Sequence, residues 1–296
     1  KFMYRQKIST LLIVLVLVLP LSNAFAQVDE YGFTRTERNN ISAQATEPFQ
    51  IFDNVYFVGI QAVASYVIKT SEGLILIDTL DGFDGFTENL LENIRTVGLD
   101  PAGIKYIIVM QAHRDHYGGL RELEPQLTDA TIGMSLLDWE RMEGDLGDQS
   151  IARDMVIDDG SSLTLGDTTL NFEHTPGHTA GTTSMRFSVF DDGQEYLTYF
   201  HGGSAIRTDV PEEIQRFIDD LKRIQTIPNI DVTLINHSDI VPAGADDLFV
   251  RAERLKNRQA GDPHPWVAPE EWQRWLTEKI AESYEILAEA KAKQGQ

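Results

Sequence analysis

The chain has 296 residues, no cysteine and a formal charge of −21, with 46 acidic against 25 basic side chains. So acidic a surface repels nucleic acid and anionic membranes, which leaves a small-molecule substrate as the expected partner and the oligomeric state open. Without cysteine there is no disulfide framework, no thiolate metal ligand and no cysteine nucleophile, so stability has to come from packing.

Residues 1–26 read as a secretory signal peptide. "KFMYRQK" is a basic start, "LLIVLVLVLPL" an apolar core broken by Pro20, and Ala24-Phe25-Ala26 a small-x-small cleavage site. That core is short for a membrane span and no other stretch is long enough. The expectation is therefore a periplasmic or secreted protein, free of the membrane once cleaved. Loss of Lys1, Arg5 and Lys7 makes the mature chain more acidic still. Residues 27–47 are polar and aperiodic and predict a loose N-terminal arm, with residues 48–296 as the folded domain, C-terminal helix included.

From Phe49 onward, "FQIFDNVYFVG", "ASYVIKTS" and "GLILIDTL" predict three strands, each a β-branched or aromatic run bounded by Gly, Asp or Ser. In "TENLLENIRTVGL", Leu90, Leu91, Ile94 and Val97 share a helical face that Gly98 closes. "GIKYIIVM" predicts a buried strand, "YGGLRELEPQL" a short helix and "ATIGMS" another strand. In the second half, "SSLTLGDTTLNFEHT" predicts a hairpin turning at Gly166-Asp167, and "TTSMRFSVFDDGQEYLTYF" a second turning at Asp192-Gly193. A helix over "PEEIQRFIDDLKRI", a strand "VTLIN", a helix over "ADDLFVRAERLKNRQAG" and a final helix from about Glu270 to Ala292 complete the chain. Strands and helices alternate in both halves, which predicts an α/β fold of two sheets between helices.

Four of the seven histidines fall where predicted strands end: His113, His116, His178 and His237. Imidazole nitrogen and carboxylate oxygen suit zinc and neighbouring divalent ions, and catalytic zinc keeps a position open for water. His113 and His116 cannot face the same way along an extended strand. They can from a loop where a strand turns into a helix. Asp115 and His116 then suit one metal, Gln111 and His113 a neighbouring one, with His178 and His237 arriving from other strand ends.

"QAHRDHYGG" resembles the H-x-H-x-D-H signature of the metallo-β-lactamase fold, and "HTPGHTAGTTS" its second histidine motif; "GLILIDT" resembles the strand ending in an aspartate that orients a ligand histidine, here Asp78. The resemblance covers about residues 48–260. It implies a four-layer αβ/βα sandwich of two mixed sheets between helices, with a dizinc site at the strand ends. Carried over position by position, Gln111, His113 and His178 hold the first metal; Asp115, His116 and His237 hold the second, with a bridging hydroxide as nucleophile and Asp115 as its catalytic partner. Glyoxalase-like and lactonase members carry a bridging aspartate where this chain has His201-Gly202-Gly203-Ser204, and two lactamase subclasses need a cysteine. The pattern therefore resembles the cysteine-free third subclass in its glutamine-first form, which implies an antibiotic-resistance β-lactamase. The stretch "ERLKNRQAGDPHPWV" departs from those enzymes, so a hydrolase of another ester, lactone or thioester, or a metal-binding module with little turnover, stays open beside it. His174 reads as shaping the loop before His178, His201 as either lining the cleft or following a strand, and Tyr117, His264 and the last helix's aromatic stripe as packing.

Overall fold

A computed structural model describes residues 34–238, 241 and 243–295; the expected signal peptide and the start of the arm lie outside the described residues. Residues 34–47 differ from the loose arm expected of them. They form two single turns, α1 (Arg35–Arg38) and α2 (Ile41–Gln44), the first closed by a reciprocal capping box between Thr34 and Glu37. Gln44 is wholly buried and its side-chain oxygen accepts the Ala62 N–H at 3.2 Å. Caps and one buried amide hold this segment, and neither leaves an apolar period to read.

The remaining elements are β1 (Phe49–Phe52), β2 (Val55–Phe57), β3 (Tyr66–Thr70), β4 (Gly73–Ile77), α3 (Phe86–Thr96), β5 (Ile104–Ile108), α4 (Arg114–Tyr117), α5 (Leu120–Leu123), β6 (Thr131–Met134), α6 (Leu136–Leu146) and β7 (Met155–Val156). They continue as β8 (Ser162–Leu165), β9 (Thr168–His174), β10 (Thr183–Asp191), β11 (Gln194–His201), α7 (Pro211–Gln225), β12 (Val232–Ile235), α8 (Leu248–Lys256) and α9 (Pro269–Gln294). "FQIFDNVYFVG" is two strands, not one. It folds at Asp53-Asn54, where the Asn54 amide donates to the Ser188 carbonyl and accepts the Phe190 N–H. Helix α6 has no counterpart in the sequence reading, because Leu136 and Leu137 point outward and only Trp139 and Met142 among its large apolar side chains are buried.

The strands make two mixed sheets, β1-β2-β3-β4-β5-β6-β7 and β12-β11-β10-β9-β8. In the first, β1 to β4 pair antiparallel and β4 to β7 parallel; in the second only β11 and β12 are parallel. Three apolar layers separate four structural ones. Leu74 and Leu76 of β4 face α3 and α6, while Ile75 and Ile77 face the other sheet through Ile68, Phe172, Met185 and Phe200. Both faces of β4 are therefore covered, which is why it reads as an unbroken apolar run. Tyr199 of β11 packs the third layer with Phe217 and Leu221 of α7 and Trp272 and Trp275 of α9. Among the described residues no helix is long and apolar enough to cross a membrane. The parallel strands β4 and β5 and the strand β12 all end at one rim, and the chemistry collects there.

Candidate metal centre

Asp78 follows β4 in a left-handed conformation (φ 58°), a region that aspartate tolerates better than most side chains. Its wholly buried carboxylate accepts the Met110 N–H at 2.8 Å and the His116 Nδ1–H at 2.7 Å. Thr79 grips the same residue from behind, its N–H and Oγ1 both donating to the His116 carbonyl at 2.7 and 3.0 Å. His113 caps α4, so Asp115 and His116 project from its first turn. The strand-to-helix turn that the H-x-D-H spacing needs is thus present.

Two further histidines are pinned in the same way. His178, between β9 and β10, donates Nδ1–H to the Ala205 carbonyl at 2.7 Å, and its ring lies on Gly203, where a Cβ would meet it at 2.8 Å. His237, just after β12, donates Nδ1–H to the Ala62 carbonyl at 2.9 Å. In each of His116, His178 and His237 the one N–H of the neutral ring is turned outward, so Nε2 presents a lone pair inward. His116 Nε2 and His237 Nε2 stand 3.3 Å apart, and His178 Nε2 lies 3.0 Å from His113 Nδ1. Ligand atoms of Asp115, His116 and His237 all fall within 4.8 Å of one another.

The electrostatics follow from this crowding. Burial, reinforced by neighbouring positive groups, pushes His113, His178 and His237 down to about 3, so all three are neutral near pH 7. For His116 burial also opposes charge, but the carboxylates of Asp115 and Asp78 outweigh it and hold the ring above its ordinary range. Burial likewise opposes the charge of Asp115, and His116, His237 and Arg38 overcome it, keeping the carboxyl well below the usual range. Two facing lone pairs 3.3 Å apart need a positive charge between them. A divalent ion would meet that need, with the Asp115 oxygen as a third donor. Imidazole nitrogens and a carboxylate oxygen fit zinc or a similar ion.

Every residue singled out for the centre is at this rim. Gln111, His113, Asp115, His178 and His237 line one cavity of about 220 Å³, with His116 and Asp78 buried beside it. Gln111 is wholly buried; its Oε1 accepts the His113 N–H at 3.1 Å and its Nε2 has no partner. His174 turns away to the Ile157 carbonyl, and His264 stacks on Phe52 at 4.1 Å. Tyr117 is core packing. His201 does not line the cavity; it is buried against Trp275 and Phe217 on the helix side of its sheet.

Three residues were missed. Arg38 reaches in from α1 to Asp115 at 3.1 Å, and Arg207 lines the cavity from the loop after β11. Asp138 lies one layer back, on α6. Its carboxylate accepts the Ala112 N–H at 3.0 Å, the Thr179 hydroxyl at 2.9 Å and the Gly181 N–H at 3.2 Å, and burial pushes it up to about 6. It ties the Gln111-His113 loop to the His178 loop. The signal was the capping pattern Ser135-x-x-Asp138, and Ser135 does cap α6, accepting the Asp138 N–H at 3.3 Å.

A two-sheet α/β sandwich with histidines and a carboxylate gathered at one rim defines a metallohydrolase-type centre. The chain carries a metallo-beta-lactamase superfamily domain, whose pattern matches residues 58–192. The structure is similar to BJP-1, a subclass B3 metallo-beta-lactamase of Bradyrhizobium japonicum, at 29% identity and a TM-score of 0.73, over 85% of this chain and 97% of that one. It shares its fold with the FEZ-1 metallo-beta-lactamase of Legionella gormanii, at 24% identity and a TM-score of 0.74, over 84% of this chain and 98% of that one. A beta-lactamase-like protein 2 homolog of Caenorhabditis elegans is 26% identical over 170 residues, 57% of this chain but only 53% of that relative's length.

Asp138→Asn turns one acceptor oxygen into a donor facing donors. It should lower stability by about 2–3 kcal/mol and speed metal loss from the His113–His178 side, read by thermal melting and chelator competition. An unchanged release rate would show that the carboxylate only fills space. Because His116 alone among the four histidines is held above its ordinary range, zinc uptake should release about one proton below neutral pH, with affinity falling about tenfold per pH unit below the His116 pKa. Calorimetry in buffers of different ionisation enthalpy counts that proton.

Proposed function

We propose that this protein is an exported, zinc-dependent hydrolase of the metallo-beta-lactamase type that opens β-lactam rings. The carrying observation is the pair of inward Nε2 lone pairs on His116 and His237, 3.3 Å apart beside the Asp115 carboxylate. The superfamily domain and BJP-1, a subclass B3 metallo-beta-lactamase, support the metal-dependent hydrolase class and favour a lactam as substrate. Export rests on the signal-peptide pattern of residues 1–26. Asp115, His116 and His237 would hold one ion, and Gln111, His113 and His178 a second. Bound there, such ions would polarise a carbonyl and acidify a water enough to attack it near neutral pH.

The protein's own groups set up the rest. Asp115 stays ionised at any working pH and faces the cavity, so its free oxygen can accept a hydrogen bond from the attacking water and orient it. Arg38, 3.1 Å from that carboxylate, restrains its rotation. Asp78 and Thr79 hold the His116 ring and backbone together, so the donor atoms keep their spacing. Gln111 brings an amide where a third imidazole would bind more tightly, and its oxygen is already shared with the His113 N–H. This makes the first position the weaker one. A second reading, hydrolysis of another ester, lactone or thioester on the same centre, is favoured by the Caenorhabditis elegans relative, which is named only as lactamase-like.

Zinc-loaded protein should hold close to two ions per chain and turn over nitrocefin, and exhaustive chelation should abolish that turnover. Activity that survives complete metal removal overturns the proposal. Turnover of a lactone or thioester without nitrocefin selects the second reading. Gln111→His should slow loss of one ion to a chelator, measured with native mass spectrometry. Asp115→Asn keeps the size and removes the charge, so kcat should fall about 10²–10⁴-fold while the melting temperature holds within a few degrees. Near-normal turnover by that variant would assign the orienting role elsewhere.

A further inference from the structure

The segment that carries α1 and α2 reaches the second metal position twice. Arg38 of α1 does so directly, donating to the Asp115 carboxylate at 3.1 Å. The other route runs through Gln44, the wholly buried last residue of α2. The Gln61 N–H donates to its backbone carbonyl at 2.8 Å, and the Ala62 N–H to its Oε1 at 3.2 Å. On their other side the same two residues turn carbonyls toward the end of β12. The Ser238 hydroxyl donates to the Gln61 carbonyl, and His237 Nδ1–H to the Ala62 carbonyl at 2.9 Å.

The peptide unit joining Gln61 to Ala62 is therefore held at both ends, its carbonyl by Ser238 and its N–H by Gln44. With that plane fixed, only the Ala62 dihedrals remain to aim the next carbonyl, the one that holds His237. Ala62 is buried, so its N–H has no water to turn to if the Gln44 oxygen is withdrawn. Gln44 itself is firmly placed. Ile41 packs against the apolar layer under α3, close enough that a Cβ on Gly85 would meet it at 3.1 Å. Asn40 caps α2 by accepting the Ser42 N–H at 3.0 Å. Asn93 of α3 secures the approach to the loop, its amide donating to the Val58 and Gly59 carbonyls at 3.0 and 3.1 Å.

We infer that Gln44 is a positioning residue for the metal centre: through the Gln61–Ala62 peptide it fixes the carbonyl that keeps the His237 ring with Nε2 inward. Arg38 of the same segment holds Asp115, so residues 34–44 belong to the second metal position although none of them faces the ion as a ligand. The inference rests on the metal-centre reading and deepens it. His178 takes its partner from a different loop, the Ala205 carbonyl after β11, and stands outside this path as an internal reference. Removing a group that orients a ligand histidine costs about 10–100-fold in metal affinity, and one peptide further out the lower end of that range applies.

Gln44→Met keeps the length and removes the acceptor. In metal-free protein with isotope-labelled histidine, NMR should show His237 losing its preference for the Nδ1–H tautomer while His178 keeps its own. One zinc ion should leave to a chelator about tenfold faster, and saturating zinc should restore most of the activity lost at limiting zinc. Gln44→Glu retains an oxygen for the Ala62 N–H, and among the described residues the Gln44 Nε2 has no partner to lose, so both readouts should return toward wild type. Asn54→Ala, at the other end of β2, removes the bonds to Ser188 and Phe190 and should lower the melting temperature while moving neither readout. An unchanged His237 signal in Gln44→Met, equal changes at His237 and His178, or zinc release no faster than in Asn54→Ala overturns the inference. If Gln44→Met does not fold, Gln44→Asn, which draws the oxygen back by one methylene, is read in the same way. If the wild type takes up no zinc, the metal reading has failed instead, and the His237 signal in the metal-free protein alone decides the role of Gln44.

Discussion

One buried carboxylate organises the catalytic rim. Asp78 sits at the end of a strand covered on both faces, and its two oxygens each hold a different element: the backbone where β5 ends, and the ring of His116 on α4. Without the first bond the loop carrying Gln111 and His113 loses its origin. Without the second, His116 is free to choose the other tautomer, and its inward lone pair is gone. A buried charge stripped of its partner costs about 3–5 kcal/mol, so the arrangement is also a condition of stability. Leu80, two residues on, holds φ at 63°, a strained value for a bulky side chain, and it is the packing of its wholly buried side chain that maintains it.

The other histidines repeat that logic with cheaper partners. Backbone carbonyls of Ala205 and Ala62 take the outward N–H groups of His178 and His237, and those carbonyls belong to loops from different sheets. The donor spacing is therefore set by how the two sheets sit against each other. Ile75, Ile77, Phe172, Met185 and Phe200 do that work in the inter-sheet layer. Asp138 adds a direct tie between the two ligand loops, at the cost of a carboxyl whose charge burial disfavours. The site is thus costly locally and supported by apolar contact elsewhere.

What was legible in the sequence is what rests on short-range pattern. The H-x-D-H cluster, the strand ending at Asp78, both hairpin turns and the helix over residues 211–225 all carry a local period or a turn signal, and each stands where it was expected. The failures share a cause. Asn54 turns "FQIFDNVYFVG" into a hairpin by bonding to β10, more than 130 residues away. The 34–47 segment is held by caps and by a buried Gln44, and α6 buries too few apolar side chains to show a stripe. Arg38, Arg207 and Asp138 act across long separations, and nothing in their own neighbourhoods announces the partner. His201 was ambiguous for the opposite reason: its motif context suggested a cleft residue, while burial beneath Trp275 places it in the core.

The distribution of charge gives these local facts a common sense. An acidic surface repels anions at long range, and that repulsion is screened beyond about 10 Å at moderate salt. Within that distance the rim is different: Arg38 at Asp115, Arg207 at the cavity wall, and Arg141 and Arg216 behind His178. Three of the four cradle histidines are kept neutral by burial and by these neighbours, so positive charge is withdrawn from the ligand atoms and concentrated on guanidiniums, which do not titrate. A cation bound among neutral imidazoles and one carboxylate retains most of its charge, and therefore most of its power to polarise. The arginines around it repel that cation weakly but attract an anion strongly at short range. With Gln111 in place of an imidazole, an ion held by Gln111, His113 and His178 would be bound less tightly, and its charge would be the less offset by its donors.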